Sequence, residues 1–543
     1  MRMRSGSVAV SMAARALAPV VLVGALLGAC SSTSNSANAG TGRVLLVGKF
    51  RGHAGGYATI QSAVNAAHTG DWILVAPGDY HETADATTRN SEASHGDFGG
   101  VLIMKSKIHI RGMSRAKVIV DGTSQSSSTP CSSNSTDQNF GPVGADGKAD
   151  GRNGILVWKA NDVSIENLTV CNFLGGAADA GNEIWWNGGG GSAKIGLSGY
   201  TGRYLTATST YFGGETTASQ YGIFSSDAAG PGLWTQLYAS NFNDSGMYVG
   251  ACHQACAVTI SHAWMEFSAL GYSGTNSGGA VVIEDSQFDN NEDGVDTNTQ
   301  LNGDPPAPQD GACPHGGISP ITHTHSCWVF MHNDVHDNNN PDVPRAGSAA
   351  AGPTGTGMTV SGGRSDTVMD NRFSNNGAWG ILFVPYPDGS TPSDNQTCTG
   401  TGGVKVQGLG CVYDPEGDAL LHNTFSHNGY FGNPSNSDYG QITVSAGQPQ
   451  NCFVGNTAPD RSAPADLENT QPTCGKLTTA ANSGGPLLSQ VLCDSGFGGC
   501  TAGESYPQPA AVVMHPLPKD LPSMPNPCQG VPENPWCPTG RPV

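Results

Sequence analysis

A short helix followed by a strand opens the ordered pattern of the chain, in residues 57–82, YATIQSAVNAAHTGDWILVAPGDYHE. The apolar residues of the helical part share one face: Ile60, Ala63, Val64 and Ala67. Gly70 stands where a helix C-cap belongs. The apolar run 72–75 predicts a buried strand, and the Pro-Gly pair at 77–78 predicts a turn. This segment therefore predicts a helix that leads directly into β-structure.

Further along the chain a glycine returns at a nearly fixed interval, and a short strand-like segment follows it each time. The intervals are 24, 25 and 23 residues in one run and 23 in another. The glycines are Gly222, Gly246, Gly271 and Gly294, then Gly357 and Gly380. Because strand side chains alternate between two faces, positions +1 and +3 after the glycine should point inward, and +2 and +4 outward. One unit repeated at a fixed spacing predicts a solenoid.

A second periodicity accompanies the first, because the preceding strand ends in an apolar residue three positions before an asparagine. The pairs are Phe288 with Asn291, Val335 with Asn338, Phe373 with Asn376, and Phe425 with Asn428. Stacked coils would place these asparagines about 4.8 Å apart, so that their amides form a ladder. We interpret them as structural. The irregular stretches are interpreted as insertions between coils: 123–152, 174–192, 301–326 and 386–411.

The pattern T-I-Q-x-A-V followed by G-D-x-I-x-V-x-P-G-x-Y-x-E, in residues 59–82, resembles the N-terminal cap and first coil of the pectin-lyase-like superfamily. The resemblance implies an all-β fold, a right-handed parallel β-helix solenoid with an N-terminal capping helix. Together with the repeats, it predicts a β-helix over residues 43–456. The tail, 457–543, loses the period and gains proline, and we expect it to form a disulfide-containing cap or arm.

The first residues have the order of an export signal. Basic residues come first: Arg2, Arg4 and Arg15. The apolar run that follows, 16–29, is too short to span a membrane and closes on Leu27-Gly28-Ala29-Cys30. This tetrad resembles that of bacterial lipoproteins, which implies a lipoprotein signal peptide at 1–29 and a lipid on Cys30 that anchors the protein to the outside of the cell membrane. A simple secretory signal is the alternative. The polar stretch 30–42 is expected to be a flexible tether.

Export would place the cysteines in an oxidising compartment. Fifteen cysteines less Cys30 leave fourteen (15 − 1), an even number compatible with seven disulfides. Proximity in sequence favours the pairs Cys252–Cys256, Cys313–Cys327, Cys398–Cys411, Cys452–Cys474, Cys493–Cys500 and Cys528–Cys537, which leaves Cys131 for Cys171. No CxxC spacing occurs, so a zinc site is disfavoured.

The net charge of −19 changes the expected partners. Loss of the three basic residues of the signal would bring the exported protein to −22 (−19 − 3). Such a surface repels polyanions unless cations bridge them, which argues against nucleic acid as a partner.

The outward positions of the repeats mix aromatic and polar side chains. They include Leu156, Trp158, Phe224, Ser226, Tyr248, Ser273, Thr275, Asp296, Asn298, Thr359, Ser361, Leu382 and Val384. Sugars offer C–H faces to aromatic rings and hydroxyls to polar groups, so Trp158 and Tyr248 are candidate stacking platforms and Asn298 a candidate polar contact. Trp185 and Trp186 are possible additions to this surface. The alternative is an outer face that the insertions cover.

The densest chemistry lies in the run Asp289-Asn-Asn-Glu-Asp293-Gly-Val-Asp296-Thr-Asn298. It resembles the N-T-D-G motif of the polygalacturonase-type hydrolases, with Glu292 in place of the threonine. The resemblance implies a catalytic carboxylate at Asp293, and Asp296 could supply the second carboxyl group that hydrolysis needs. The Gly-Asp-Asp, Gly-His-Gly and Arg-Ile-Lys motifs of that family are absent.

The same run reads D-x-N-x-D-G, the first half of a calcium loop. Its candidate Ca²⁺ ligands are Asp289, Asn291 and Asp293. Gln300 stands where a bidentate glutamate would be required. A calcium-assisted lyase would also need a base, for which Lys159 or Arg364 is available. The structural alternative has Asn291 in the ladder and the aspartates facing water.

Four histidines lie near one another in sequence and raise the question of copper: His323, His325, His332 and His336. The repeat argues against a copper site, because one register is shared by His262, Asp285, His332, Asp370 and His422. Each lies three residues before an apolar strand-end residue, which places it on the outer surface of another sheet, whereas copper needs convergent ligands.

These observations favour an extracellular β-helix protein that recognises a polysaccharide and processes it as a hydrolase, lyase or epimerase, with Asp293 and Asp296 at the centre. We expect a monomer with no cofactor other than Ca²⁺. β-Helices also serve without catalysis, so a carbohydrate-binding or structural surface protein is the alternative.

Overall fold

The computed structural model describes residues 42–83, 96–189, 194–252, 254–299, 309–388, 410–457 and 462–538, with short stretches at 87–88, 398 and 403–406. Almost all of its strands lie in two large sheets, in which successive coils of the chain pair side by side in parallel. The protein is therefore a right-handed parallel β-helix, as predicted. The export signal, Cys30 and the tether up to residue 41 lie outside the described residues.

The 12-stranded sheet receives one parallel strand from each coil, and Thr87–Thr88 pairs antiparallel with Asp97–Ile103 at its edge. Its strands in chain order are Thr87–Thr88, Asp97–Ile103, Asn153–Trp158, Asn182–Asn187, Tyr221–Ser226, Ser245–Gly250, Leu270–Thr275, Asp293–Asn298, Thr356–Ser361, Trp379–Val384, Ser437–Gln441 and Ser462–Ala463. Each recurring glycine lies at the second position of its strand, as the period predicts.

The 18-stranded sheet forms the rest of the wall and bends along its length. Its strands are Val44–Val47, Trp72–Val75, Gly78–Tyr80, His109–Gly112, Val118–Asp121, Val163–Cys171, Leu197–Thr208, Ala228–Ser240, Val258–Glu266, Val281–Glu284, Gln287–Asp289, Trp328–Met331, Asp334–His336, Asp366–Met369, Arg372–Ser374, Ala419–Leu421, Thr424–Ser426 and Cys452–Val454. Two small antiparallel sheets stand apart: Lys49–Phe50 with His53–Ala54, and Tyr386–Asp388 with Gly403–Val406 and Gly410–Tyr413.

The predicted asparagine ladder is present at the turn between the sheets. Asn291 Nδ2 donates to Asn338 Oδ1 at 3.0 Å, and the same bond joins Asn338 to Asn376 at 3.3 Å and Asn376 to Asn428 at 3.1 Å. A second ladder, which the sequence did not reveal, follows the bend of the 18-stranded sheet through Asn333, Asn371, Asn423 and Asn456.

The glycine period has a steric cause. A Cβ atom at Gly294 would lie 2.4 Å from Gly357 O and 2.7 Å from Asn338 Nδ2, and a Cβ at Gly357 would lie 2.5 Å from Gly380 O and 2.8 Å from Asn376 Nδ2. Any side chain at these positions would therefore push against the backbone of the next coil as well as the ladder amide. Glycine recurs because it lets the next coil approach this closely.

The positions directly after the glycines point inward, as predicted. Ile223, Met247, Val295, Met358 and Ile381 are all fully buried in the central apolar core. This core runs the length of the solenoid, so each coil buries its apolar residues against its neighbours.

The interpretation of residues 174–192 as an insertion is wrong, because Asn182–Asn187 is a regular strand of the 12-stranded sheet. Glu183 occupies the position that glycine holds in the other coils. It is fully buried, and its carboxylate accepts hydrogen bonds from Phe173 N at 3.1 Å and Ser219 Oγ at 3.3 Å. Glu183 thus accepts directly from the backbone N–H of Phe173. Because this coil has glutamate where the others have glycine, the glycine period does not predict it.

The capping helix α1, Ile60–Ala66, closes the N-terminal end. Thr59 Oγ1 caps it by accepting from Ser62 N at 3.1 Å. The helix ends earlier than predicted, with Ala67 as its C-cap, while Gly70 has a positive φ of 89° in the turn before the next strand. Glu82 also accepts from Ile60 N, which ties the helix to the first coil.

The C-terminal segment first caps the last coils and then returns along the solenoid as an extended arm. Two helices, α2 (Leu467–Thr470) and α3 (Pro486–Asp494), form the cap. The arm then contacts successively earlier parts of the chain through Tyr506 on Trp379, Ala510 on Asp342, His515 on Phe267, Pro522 on Arg115, Gln529 on Arg111 and Trp536 on His53.

All seven predicted disulfides are confirmed. Such a number is typical of proteins that mature in an oxidising compartment. Among the described residues, no helix has the length and apolar character needed to cross a membrane.

Candidate functional site

Asp296 lies at an outward position of strand Asp293–Asn298, as predicted, and is half-buried. Its carboxylate accepts from Ser361 Oγ at 2.9 Å and from Asn298 Nδ2 at 2.6 Å. Burial raises the pKa of Asp296 to about 6, against the lowering effect of these hydrogen bonds. Asp296 therefore titrates near neutral pH while remaining partly open to solvent.

Asp293, the other predicted catalytic carboxyl group, is fully buried. Its Oδ2 accepts from Thr359 Oγ1 at 2.6 Å. The segment around Gly352 covers it so closely that a Cβ atom added to Gly352 would lie 3.3 Å from the Cβ of Asp293. Burial, followed by the negative charge of Asp296, raises the pKa of Asp293 well above its usual value. The structure thus places Asp293 beneath the surface, out of direct reach of a ligand.

A second half-buried carboxyl group, Asp244, was missed from the sequence. Tyr221 donates its hydroxyl to Asp244 Oδ2 at 3.0 Å. Burial raises the pKa of Asp244 to about 7, and the charge of Asp296 contributes to the increase. A signal existed, because Asp244 stands two residues before Gly246, the offset at which Glu292 precedes Gly294.

Glu292 itself is held by an ion pair. Its Oε1 contacts Arg345 Nη1 and accepts from Thr354 Oγ1 at 3.2 Å. Burial still raises the pKa of Glu292 to about 8. Because Glu292 is fully buried beside Arg345, we assign it to holding the segment that covers Asp293.

An aromatic surface lies beside these carboxyl groups on the same face. Tyr221 and Tyr248 are half-buried with ring centroids 5.0 Å apart, while Trp185 and Phe224 stack on each other at 4.9 Å and are nearly buried. Tyr248 lies two strands from Asp296, at about 10 Å. Trp186 is a correction, because it points into the core instead of toward this surface.

Trp158 and Asn298 do not lie together with Asp296 on one exposed sugar-binding surface. Trp158 is half-buried under Lys159, whose Nζ lies 4.9 Å from the ring centroid, and it stands five strands from Asp296, at about 24 Å. Asn298 is nearly buried between Thr275 and Asp296. Asn298 thus orients Asp296, and Trp158 could contact only a long ligand.

Of the two candidate bases, Lys159 is remote from Asp296 and Arg364 is engaged in an ion pair. Lys159 shares the remote position of Trp158, and Arg364 forms an ion pair with Glu416 at 2.5 Å. This pair lies past the end of strand Thr356–Ser361, in the turn toward the other sheet.

The three candidate calcium ligands have separate partners. Asp289 lies in the 18-stranded sheet and accepts from Trp264 Nε1 at 2.7 Å. Asn291 Oδ1 accepts from Ser268 N at 3.0 Å, within the ladder. Asp293 belongs to the 12-stranded sheet. The structure therefore does not bring the three side chains together.

The histidine register lies at the bend of the 18-stranded sheet, on the surface, as predicted. His262, His332 and His422 are exposed and have positive φ angles of 53°, 57° and 56°. Within the described chain, two groups of three ligand-type side chains converge: Asp79, His81 and Asp121, and Asp121 with the disulfide-bonded Cys131 and Cys171. Neither group includes the acidic run.

Apolar and aromatic side chains fill the two ends of the outer face. Leu382 and Val384 are buried under α3 through Leu487, while the stacked pair Trp185 and Phe224 fills the opposite side. Between them lies a polar strip in which Asp244 and Asp296 are partly exposed and the small side chains are nearly buried: Ser226, Ser273, Thr275, Thr359 and Ser361.

No family model matches the chain. No curated protein matches it either. Among solved structures, it is similar to the A-module of a mannuronan C-5 epimerase from Azotobacter vinelandii, with 12% identity over 78% of this chain and 95% of that one and a TM-score of 0.39. It is also similar to an alginate lyase from Paenibacillus, with 11% identity over 78% of this chain and 96% of that one and a TM-score of 0.34. A pectate lyase is similar with 10% identity over 80% of this chain and 82% of that one and a TM-score of 0.33. These similarities concern the fold alone.

Proposed function

We propose that this protein binds an extended polysaccharide along the polar strip of the 12-stranded sheet, where Asp244 and Asp296 reach the surface, and hydrolyses it there. The observation that carries the proposal is a pair of half-buried carboxyl groups, Asp244 and Asp296, with pKa values raised to about 7 and about 6. Tyr221 and Tyr248 border this pair with aromatic rings that a sugar can stack on. Titratable groups shifted toward neutrality in a cleft are typical of catalytic sites.

The different pKa values assign different roles to the two groups. Asp244, which has the higher pKa of about 7 and is therefore partly protonated at neutral pH, acts as the general acid that protonates the glycosidic oxygen as the bond breaks. Asp296, ionised above pH 6, acts as the base toward the attacking water. Asn298 and Ser361 position Asp296 through hydrogen bonds to its two oxygens.

Hydrolysis is favoured over a lyase or epimerase reaction by the charges around the pair. Lyases and epimerases withdraw the proton next to the carboxylate of a uronate, and a nearby cation favours this step by stabilising the negative charge that develops there. No basic side chain is among the described groups that shift the pKa of Asp244 or Asp296. Lys159 lies about 24 Å away along the sheet.

Loss of either carboxylate should abolish turnover without unfolding the protein. We expect Asp244→Asn and Asp296→Asn each to lower the release of reducing ends from a responsive polysaccharide by about 100-fold or more, the scale of general acid–base catalysis. Asp337→Asn, which changes a half-exposed aspartate outside the strip, is the matched control. Full activity in Asp296→Asn would contradict the proposal, and a wild type that binds glycans without any turnover would favour the non-catalytic alternative.

The pKa values also predict the pH profile. The reaction needs Asp296 ionised and Asp244 protonated, so activity should fall below pH about 6 and above pH about 7. The measurement is kcat/KM against pH on the responsive polysaccharide. In Asp244→Asn the residual activity should lose the alkaline limb, because no acid remains to ionise. A flat profile between pH 5 and 8 in the wild type would contradict the assignment.

The place of action is also part of the proposal. Seven disulfides support maturation outside the cytoplasm. A lipid on Cys30, followed by the tether, would keep the strip near the cell surface, where polysaccharides are accessible.

A further inference from the structure

A third ladder at the corner between the two sheets contains aspartate where the others contain asparagine. Asp366 N donates to Asp418 Oδ1 at 2.9 Å, and Asp418 N donates to Asn451 Oδ1 at 3.0 Å. The three residues stand side by side on paired strands, and all are nearly or fully buried. Two carboxyl groups thus occupy ladder positions inside the solenoid.

An asparagine ladder uses both atoms of each amide. Asn371 Nδ2 donates to Phe330 O, and Asn423 Nδ2 donates to Val368 O, in each case the carbonyl three residues before the ladder residue of the preceding coil. Asn451 follows the same rule by donating to Pro415 O. By the same offset, the acceptor that corresponds to Asp418 Oδ2 is the carbonyl of Gly363, which accepts from Glu416 N at 3.0 Å. Asp418 Oδ2 has no hydrogen-bond partner, and an ionised Asp418 has no proton to donate.

Further unpartnered oxygens border the same space. Neither oxygen of Asp366 has a donor at hydrogen-bond geometry, although Gln309 lies close enough to lower its pKa. A Cβ atom on Gly363 would lie 2.7 Å from Asp366 Oδ2, 2.8 Å from Val360 Cγ1 and 3.6 Å from Thr297 Oγ1. Thr297 is fully buried, and its hydroxyl also lacks a partner. Unpartnered carboxylate and hydroxyl oxygens therefore both border the space beside Gly363.

The charge of this corner is not balanced by the protein. Asp310 and Glu416 lie next to Asp366 and Asp418, and Arg364 is the one basic side chain that faces them among the described groups. Arg364 is already paired with Glu416. Ionised carboxylates without a counter-charge are strongly unfavourable in a protein interior, so either protons or a cation must neutralise Asp366 and Asp418.

We propose that Asp366 and Asp418 bind a buried calcium ion, with Thr297 Oγ1 and the Gly363 carbonyl as additional ligands. All of these donors are oxygens, which Ca²⁺ takes in irregular geometries and a transition metal does not prefer. The site differs from the D-x-N-x-D-G run, whose side chains the structure separates. It is structural and independent of the proposed catalysis, because its ligands line the inside of the wall.

The test uses the full-length protein prepared in calcium and dialysed into metal-free buffer. The wild type should retain about one calcium ion per chain by elemental mass spectrometry, and EGTA should lower its melting temperature. Asp366→Asn with Asp418→Asn should retain none and should melt at the same temperature with and without EGTA. This double variant is expected to fold, because each new amide can donate as Asn451 does.

Two further variants keep the test decisive if the double variant is poorly folded. Thr297→Val should lose calcium retention, and Thr297→Ser, which keeps the hydroxyl, should preserve it. Calcium that is retained in the Asp366 and Asp418 variants but lost in Asp289→Asn would overturn the assignment in favour of the acidic run. A metal-free wild type that ignores EGTA, and whose stability falls as pH rises, would also overturn it, since protons would then neutralise the two carboxylates.

Discussion

Ile381→Asp is expected to destabilise the solenoid by about 3–5 kcal/mol, the range for placing an uncompensated polar group in a core. Ile381 is fully buried and stands in register with Met358 and Tyr439 on the neighbouring strands. A carboxyl group there would meet only apolar neighbours, because the side chain points into the central core. The measurement is the free energy of unfolding from denaturant titration.

The matched control for this variant is Ile318→Asp. Ile318 is 62% exposed, so a charge there reaches water and should change the unfolding free energy by less than about 0.5 kcal/mol. Equal unfolding midpoints for Ile381→Asp and the wild type would contradict the register assigned to strand Trp379–Val384.

Trp536→Ala is expected to be nearly as damaging, at about 3–5 kcal/mol, the range for truncating a buried tryptophan. Trp536 is fully buried near the end of the arm, donates from Nε1 to His53 O at 3.1 Å and packs edge-on against Phe50. Its loss leaves a cavity and frees the arm from the N-terminal cap. Thermal unfolding and the rate of proteolysis within residues 520–538 measure the two consequences.

Phe497→Ala provides the comparison, because this aromatic side chain in the same C-terminal segment is 74% exposed. Its removal should leave both stability and proteolysis unchanged. If Trp536→Ala behaves like Phe497→Ala, the arm contributes nothing to stability at its far end.

The fold was predictable because the ladder imposes a pattern that a sequence can carry. Glycine must recur wherever a Cβ would strike the backbone of the next coil or a ladder amide, as at Gly294 and Gly357, and this produces the nearly constant interval. The coil at Asn182–Asn187 was not predicted, because Glu183 replaces the glycine and accepts hydrogen bonds from Phe173 N and Ser219 Oγ. A repeat in the sequence predicts only those coils that have the same residues at the recurring positions.

The site was predictable only in part. Alternation along a strand was enough to place Asp296 outward, and its position next to other acids drew attention to it. The burial of Asp293 could not be read in this way, because the covering segment around Gly352 comes from a later part of the chain. Asp244 lies in a turn, where alternation gives no direction, and only its pairing with Tyr221 reveals it.

The return of the arm to the N-terminal cap changes how the molecule can come apart. A linear stack of coils ordinarily frays from whichever end is weaker, one coil at a time. Here the hydrogen bond from Trp536 to His53 spans 483 positions of the sequence and joins the two ends. The first coil therefore cannot separate from the stack without also straining the attachment of the arm at the last coils. Unfolding by heat or by pulling force should consequently involve the whole solenoid. A single protease cut in the arm should restore fraying from one end.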